Sequence, residues 1–325
     1  MTQRLFLTVT RACNLRCTYC PTVKDDWPSL SESDAIRSVD LFCDMFGGGD
    51  IKLFGGEPLL VPDVVRAVME YSAKKEGISK VYLSTNGLGL NDEWFNFLRS
   101  YPKGVLTLSM DGVPDAHRRN RRALDGVPDS YDHVVSLMPQ IKKTPRVVVT
   151  QTIPPSTAHR ALENFEHLRE LGFWRFNFLP GYYIPWKDNQ IDALRAGFEG
   201  IASSVRSAWD KGENLYVRNL FTWAPTPFFN SGLVVDSDGA IHPTNMGLSG
   251  SLDHTLEDTR VGDLDHPPTR EALETGAERV NALLEKHLSE RVMTSTRRVD
   301  EELTLFCRGL YAPFAEYKKA RRAAG

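Results

Sequence analysis

The sequence predicts an α/β fold built on an open, partial (β/α)6 barrel, and three observations carry that prediction. Six short β-branched or aromatic runs alternate with amphipathic helical stretches between Arg4 and about Pro180. Several of these runs end in small, polar or glycine-rich residues, as strand ends do where a parallel sheet faces a ligand. Beyond residue 185 the rhythm changes to one hairpin pattern among long helical stretches, which predicts an appended α+β part.

The strands are expected at Leu5–Thr10, Ile51–Phe54, Val81–Ser84, Val105–Met110, Val147–Thr152 and Phe173–Leu179. Between them Ser33–Phe46, Pro62–Lys75, Asp92–Ser100, Tyr131–Ile141 and Ala158–Leu171 have helical periodicity. Serial strand-then-helix units imply parallel strands joined by right-handed crossovers, and six of them are too few to close an eight-stranded barrel. A partial TIM-like barrel over residues 1–185 follows, with ligands at the carboxyl ends of its strands. The extension, residues 186–325, is expected to close the substrate side. It opens on a helix around Ile191–Lys211 and continues with a hairpin over Gly232–His242, with Asp238-Gly239 at its turn. Helices over Arg270–Glu290 and Asp300–Arg322 complete it, and Gly247–Pro268 reads as a long loop.

Composition narrows the function. With 41% hydrophobic and 25% charged residues in 325, the chain has ample material for a core. A formal net charge of −3 gives no case for nucleic acid or an anionic membrane as partner. No apolar stretch approaches the roughly twenty residues that span a bilayer, and no signal-peptide core follows Met1, so a cytoplasmic location is expected. Three of the five cysteines fall within eight residues, a pattern suited to metal or cluster ligation in a reducing compartment.

Those three lie in Cys13-Asn-Leu-Arg-Cys17-Thr-Tyr-Cys20, just past the first strand. A four-iron cluster needs soft thiolates, and three of them on one loop leave one iron open to a substrate or cofactor. A structural zinc site is the rival reading, but it needs a fourth ligand, and the first histidine in the chain is His117. Buried structural cysteines would have no reason to keep this spacing on a loop. In Phe54-Gly55-Gly56-Glu57-Pro58 the glycines allow close backbone approach, while carbonyls and a carboxylate can accept from a cationic amino group. The plainer alternative is a turn before a helix at Pro58. Ser84-Thr85-Asn86-Gly87 and Ser109-Met110-Asp111-Gly112 put small polar groups at the next strand ends, where helix caps or turns are the alternative.

The CxxxCxΦC pattern, with Tyr19 as its aromatic, resembles the signature of the radical S-adenosylmethionine (SAM) superfamily. The resemblance implies a 4Fe–4S cluster on Cys13, Cys17 and Cys20 that chelates SAM and cleaves it by one electron to a 5′-deoxyadenosyl radical. It implies that Gly55, Gly56, Glu57 and Pro58, similar to the family's GGEP motif, hold the SAM ammonium, with Tyr19 beside the cluster and adenine. Ser84, Asn86, Ser109 and Asp111 resemble further SAM-contact segments, and Leu179 at the sixth strand end is assigned with them. His117 and the arginines after it resemble an H-D-x-x-R run, in which Arg121 would grip the SAM carboxylate. Arg118 stands where the family usually has Asp, and Arg118, Arg119, Arg121 and Arg122 otherwise read as a solvated basic face.

Leu233–Pro243 and Arg260–Leu264 resemble the frame of SPASM, the cysteine-rich extension of peptide-modifying members. Thr244 occupies the place of its first cysteine and Cys307 is alone in the second half, so the resemblance is to a degenerate SPASM/twitch extension without an auxiliary cluster. Cys43 and Cys307 are candidate hydrogen donors, but core packing is the stronger reading for both, and Cys43, on an apolar helix, is read as core. Tyr182, Tyr183, Trp186, Trp223, Pro225, Phe228 and Phe229 would line a substrate cavity or pack the extension. His242 and Asn245 would touch substrate or serve structurally. The implied activity is hydrogen abstraction from a peptide that is crosslinked, epimerised or otherwise altered. A small molecule of natural-product or cofactor biosynthesis is the alternative substrate, and a non-catalytic SAM or iron–sulfur protein the alternative class. An electron donor such as flavodoxin or ferredoxin is the implied partner.

Replacing Cys13, Cys17 or Cys20 singly with Ala should abolish SAM cleavage together with the broad cluster absorption. Reconstituted wild type should bind about four irons, the complement of one cubane, and Cys43→Ala with Cys307→Ala should retain them. Iron and sulfide analysis checks both, and close to eight irons, half of them lost in the double variant, would contradict the single-cluster expectation.

Overall fold

The computed structural model describes residues 3–20, 27–221, 231–245 and 252–324. Its strands are β1 (Arg4–Thr10), β2 (Leu15–Cys17), β3 (Gly49–Gly55), β4 (Ile78–Thr85), β5 (Gly104–Ser109), β6 (Arg121–Ala123), β7 (Val147–Ile153), β8 (Arg175–Pro180), β9 (Tyr216–Val217), β10 (Ser231–Val235), β11 (Ala240–Thr244) and β12 (Gly262–Asp263). Two compact units interleave along the chain. The first comprises Met1–Leu108, Arg121–Val147 and Phe229–Ser289, the second Ser109–Asn120, Val148–Phe228 and Glu290–Gly325.

In the first unit β1, β3, β4 and β5 lie side by side and parallel. Their side chains alternate as a pleated strand requires. Leu5, Leu7, Val9, Ile51, Leu53, Val81 and Leu83 are fully buried on one face, the side of the helices Glu32–Phe46 and Pro62–Ala73. The opposite face carries Phe6, Thr8, Lys52, Phe54, Tyr82 and Ser84. There the register sets Phe6 beside Lys52 and Lys52 beside Tyr82, and the Lys52 ammonium lies 4.9 Å from the Phe6 ring centroid. β10 pairs parallel with the other edge of β1, turns through Asp238-Gly239 into antiparallel β11, and β12 follows. The predicted hairpin is thus present, and it covers an edge that β1 would otherwise expose.

The second unit holds β7, β8 and β9, again parallel. Phe176 and Phe178 of β8 meet Phe165 of the helix Ala161–Leu171, and Phe178 also meets Phe198 and Phe306 of the helices Asp188–Asp210 and Glu290–Ala324. Such aromatic contacts contribute beyond the area they bury.

Three expectations need correction. The helix foreseen at Tyr131–Ile141 is two helices, Ser130–Ser136 and Met138–Lys143, because Pro139 has no N–H for the carbonyl four residues back. The last helix starts at Glu290 instead of Asp300. Its early turns lack a clear apolar period, but the Ser295 and Thr296 hydroxyls accept from the backbone N–H groups of Trp186 and Tyr183, and tertiary contact overrides weak local signal. The long loop contains a short helix, Leu256–Thr259, and β12, which is ordered by pairing with β11. No described helix is long and apolar enough to cross a membrane.

One buried ion pair ties β1 to the hairpin. Arg11 follows β1, is fully buried, and donates from Nε to Asp236 Oδ1 at 3.2 Å and from Nη2 to Oδ2. The Trp27 ring centroid lies 3.7 Å from its guanidinium carbon. Breaking a buried pair leaves an uncompensated charge, whereas replacing both partners with apolar groups removes the desolvation cost with the attraction. Asp236→Ala should therefore lower stability by about 3–5 kcal/mol, and Arg11→Met with Asp236→Leu should recover most of it. Urea unfolding midpoints test this, and a single variant as stable as wild type would contradict it.

Candidate functional site

The first unit brings most of the candidate residues to one end of its sheet. Register sets Thr10 of β1 opposite Gly55 of β3, and Leu53 opposite Leu83 of β4, so the loops after these strands begin side by side. The loop after β1 runs into β2, which pairs antiparallel with β6 and places Cys17 opposite Arg121. The Leu15 N–H donates to Cys13 Sγ at 3.4 Å, the Cys20 N–H to the Cys17 carbonyl at 3.1 Å, and Arg121 Nη1 stands 4.0 Å from Cys17 Sγ. All three cysteines are half-buried and outside any disulfide. Among the described residues no three His, Cys, Asp or Glu side chains converge as ligands of a single ion. A cubane instead takes each thiolate on a separate iron, and three soft donors on one short loop fit that demand.

Beneath this loop the Gly-Gly-Glu-Pro turn makes close backbone contact. Gly56 N–H donates to the Thr10 carbonyl and Glu57 N–H to the Ala12 carbonyl, both at 2.8 Å. A Cβ on Gly55 would lie 2.1 Å from the Thr10 oxygen and one on Gly56 2.0 Å from the Ala12 oxygen, so only glycine fits at either position.

Glu57, expected to meet the SAM ammonium, faces inward in this structure. Its carboxylate is buried and accepts from Leu59 N–H at 3.0 Å, from the Thr85 hydroxyl at 2.7 Å and from Asn86 N–H at 2.7 Å. Burial pushes its carboxyl above the usual range, while these bonds and the nearby Arg121 charge pull it back. A carboxylate with three internal donors holds two turns together. Asn86 extends the network by donating from its amide to Asn14 Oδ1 in the cysteine loop at 2.7 Å. Arg121 is buried, with its guanidinium carbon 5.4 Å from the Tyr19 ring centroid. Pro58 opens the 3-10 turn Pro58–Leu60, and Ser84 is half-buried near the end of β4.

Ser109, Asp111 and Leu179 belong to the second unit. Asp111 is buried, with its N–H donating to His117 Nδ1 at 3.4 Å, Ser109 is half-buried, and Leu179 is 37% exposed. In the same unit Tyr182, Tyr183 and Cys307 are joined by Asp300, which motif reading missed. Tyr182, just after β8, donates its hydroxyl to Asp300 Oδ1 at 3.0 Å, and burial raises the Asp300 carboxyl to about 6. Tyr183 is held at φ 62°, a left-handed conformation uncommon outside glycine and enriched at functional sites. Burial, aided by the Asp300 charge, pushes the Cys307 thiol up to about 12, which keeps it protonated. Asp300 sits in a run of charged helical residues, Arg297 to Glu302, and nothing local marks it. Cys43, read as core, is only half-buried. His242 is buried and bonded through Nδ1 to the Thr259 hydroxyl at 3.0 Å, and burial lowers its pKa. Trp223, Pro225, Phe228 and Phe229 lie outside the described residues.

The sequence model of the radical SAM superfamily matches residues 7–194, more than half of the chain. The chain belongs to the radical SAM superfamily. This radical SAM enzyme uses a 4Fe–4S cluster and SAM. It is 23% identical over 300 residues to the cysteine-type anaerobic sulfatase-maturating enzyme of Clostridium perfringens, covering 81% of this chain and 77% of that one. A GTP 3′,8-cyclase of Parasynechococcus marenigrum is 33% identical over 120 residues, but the match spans only 34% of either chain. Native anSMEcpe with bound AdoMet and Cp18Cys peptide has the same fold, with TM-score 0.73 and 18% identity over 99% of both chains. Streptococcus suis SuiB bound to precursor peptide SuiA gives TM-score 0.58 and 15% identity over 77% of this chain and 61% of that one. The α/β fold with its partial TIM-like barrel is therefore established.

Removing the Glu57 carboxylate leaves the Thr85 hydroxyl and two N–H groups buried without an acceptor, at about 1–3 kcal/mol each. Glu57→Ala should keep its iron yet bind SAM at least about tenfold more weakly, the equivalent of 1.4 kcal/mol, as the two turns separate. A SAM titration of the reduced cluster by electron paramagnetic resonance checks this. Unchanged affinity with an unchanged melting temperature would contradict the positioning role.

Proposed function

We propose that this radical SAM enzyme modifies a peptide at an unreactive C–H position. The observation that carries the reading is the likeness to anSMEcpe over nearly the whole of both chains, well past the end of the family match at residue 194. That relative and SuiB are both described with peptides bound. We place the barrel at 1–185 and an extension at 186–325 on the substrate side; the family match, which ends at residue 194, supports the first of these bounds.

When bound, the cluster supplies the electron that cleaves SAM to methionine and a 5′-deoxyadenosyl radical. In this reading Cys13, Cys17 and Cys20 hold the cluster, and the carbonyls of the Gly55-Gly56 turn, together with Glu57, receive the SAM ammonium. Arg121 draws its carboxylate, since a guanidinium suits bidentate binding. Tyr19 flanks the adenine, and Ser84, Asn86, Ser109, Asp111, Pro58 and Leu179 complete the contacts. The half-exposed row Lys52, Phe54 and Tyr82 offers mixed polar and aromatic contacts suited to a peptide. A cytoplasmic location goes with thiols that must stay reduced to take iron. Small-molecule chemistry is the second reading; the identity to GTP 3′,8-cyclase favours it, over a third of the chain.

Anaerobically reconstituted protein should form 5′-deoxyadenosine when given dithionite and SAM. With a peptide substrate deuterated at the modified carbon, deuterium should appear in that 5′-deoxyadenosine. Label transfer from GTP or another small molecule, with none from any peptide tried, would favour the second reading. Absence of 5′-deoxyadenosine from cluster-verified protein would leave a binding protein.

A further inference from the structure

The segment that follows β8 is pinned to the last helix in an uncommon shape. Its Tyr183 N–H donates to the Thr296 hydroxyl at 3.2 Å and its Trp186 N–H to the Ser295 hydroxyl at 3.0 Å. The Trp186 indole N–H closes the segment on itself by donating to the Gly181 carbonyl at 2.8 Å. Between these anchors Tyr183 keeps its left-handed φ of 62°, a backbone state that persists only where its surroundings impose it. One further bond crosses to the helix, from the Tyr182 hydroxyl to Asp300 Oδ1. Segment, strand and helix all belong to the second unit, and the segment leaves the carboxyl end of β8, the end at which parallel sheets take their ligands.

Asp300 is treated differently from other buried acids of this fold. Glu57 receives three donors, Asp236 receives Arg11, and Glu302 receives Arg195 Nε at 3.1 Å and Nη2 at 2.6 Å. Asp300 is 9% exposed and has one neutral donor, Tyr182; none of the described Lys, Arg or His side chains pairs with it. The groups that face it are the Tyr182 and Tyr183 phenols and the Cys307 thiol, two turns further along its own helix, and burial keeps all three neutral. Its second oxygen, Oδ2, has no partner among the described residues and is not sealed from solvent. Burial without a countercharge raises the Asp300 carboxyl to about 6, so near neutral pH the protein holds a charge that weakens its own fold. A group kept at a cost to stability, oriented by one partner and open on its other side, has the character of a binding residue.

We propose that Asp300, positioned by Tyr182, receives at Oδ2 a cationic side chain of the peptide substrate, a lysine ammonium or an arginine guanidinium. The inference rests on the peptide reading above and narrows it to peptides that carry a basic residue. Such a cation replaces the hydration that burial removes from the carboxylate, and a charge-assisted bond is stronger than the neutral one from Tyr182. A neutral donor has no need of an ionised acid, and an anion is repelled, so the site selects charge as well as shape. The Tyr182 hydroxyl fixes which oxygen turns inward, which makes Tyr182 a positioning residue and Asp300 the binding one.

The test titrates full-length reconstituted protein, by isothermal titration calorimetry, with acetylated and amidated alanine pentapeptides whose central residue is arginine, lysine or citrulline, the neutral isostere of arginine. At neutral pH the arginine or lysine peptide should bind at least about tenfold more tightly than the citrulline peptide. The preference should fade as pH falls through about 6, because a protonated Asp300 has no charge to pair. Asp300→Asn keeps an oxygen for Tyr182 but no charge, so it should bind basic and citrulline peptides alike at every pH. Its melting temperature near neutral pH should equal or exceed that of wild type, since the charge it removes opposes folding there. Tyr182→Phe removes the hydrogen bond that favours the ionised acid and should move the fading of the preference to higher pH. Equal affinity for basic and neutral peptides in wild type would overturn the proposal and leave the peptide reading standing. A preference retained in Asp300→Asn would overturn it as well, by placing the cation elsewhere. If no peptide binds, acetylarginine amide is titrated instead: binding that Asp300→Asn abolishes supports the cation site apart from the peptide reading, and no binding overturns the proposal.

Discussion

Everything at the sheet end depends on how the buried carboxylate of Glu57 is satisfied. Taking a carboxylate out of water costs several kcal/mol unless hydrogen bonds replace its hydration, and here three donors from two different turns do so. Because the donors belong to residues 59, 85 and 86, the carboxylate can be satisfied only when β3 and β4 are in register and their turns stand at one separation. The backbone N–H of the same residue binds the Ala12 carbonyl, and Asn86 binds Asn14, so the position of the cysteine loop is fixed from below by the same residues. The glycines at 55 and 56 matter for the same reason: any side chain there would push the cysteine loop off the turn.

The root of that loop is fixed from the other side by Arg11. Its partner Asp236 is 225 residues away in sequence, so this contact forms only after nearly the whole chain has been gathered. Closing so long a loop is entropically slow, and the pairing of β10 with β1 closes one of similar length. A cluster loop braced by late contacts cannot be fully ordered while the rest of the first unit is unformed.

The sequence made the local features legible and the long-range ones invisible. The six parallel strands could be read because β-branched runs have a period of two and end at glycines or small polar residues, and the cysteine spacing is a local pattern on one loop. The hairpin could be read from Asp238-Gly239. For Glu57 the sequence neighbourhood says only that a carboxylate follows two glycines; its bonds to Thr85 and Asn86 depend on register, which alone brings those residues near. Asp300 and Tyr182 are 118 residues apart, and their hydrogen bond has no local signature. The start of the last helix at Glu290 was missed for a related reason, since its first turns are stabilised by hydroxyl contacts to the Tyr183–Trp186 segment and not by an apolar stripe.

The hairpin shows why a frame can outlast the residues a resemblance expects on it. Thr244 stands where a cysteine is expected, and it is 2% exposed, a small side chain in a packed position. Around it Leu233, Val235 and Ile241 are fully buried, His242 is bonded to Thr259, and Pro243 packs so tightly on the helix Arg270–His287 that a Cβ at Gly276 would lie 2.9 Å from its ring. Apolar burial on this scale is a sufficient source of stability for a hairpin joined to a larger sheet. The same hairpin covers the edge of β1 and supplies Asp236 to Arg11. Both tasks serve the cysteine loop directly, so the hairpin has a structural reason to keep its shape whether or not thiolates are present on it.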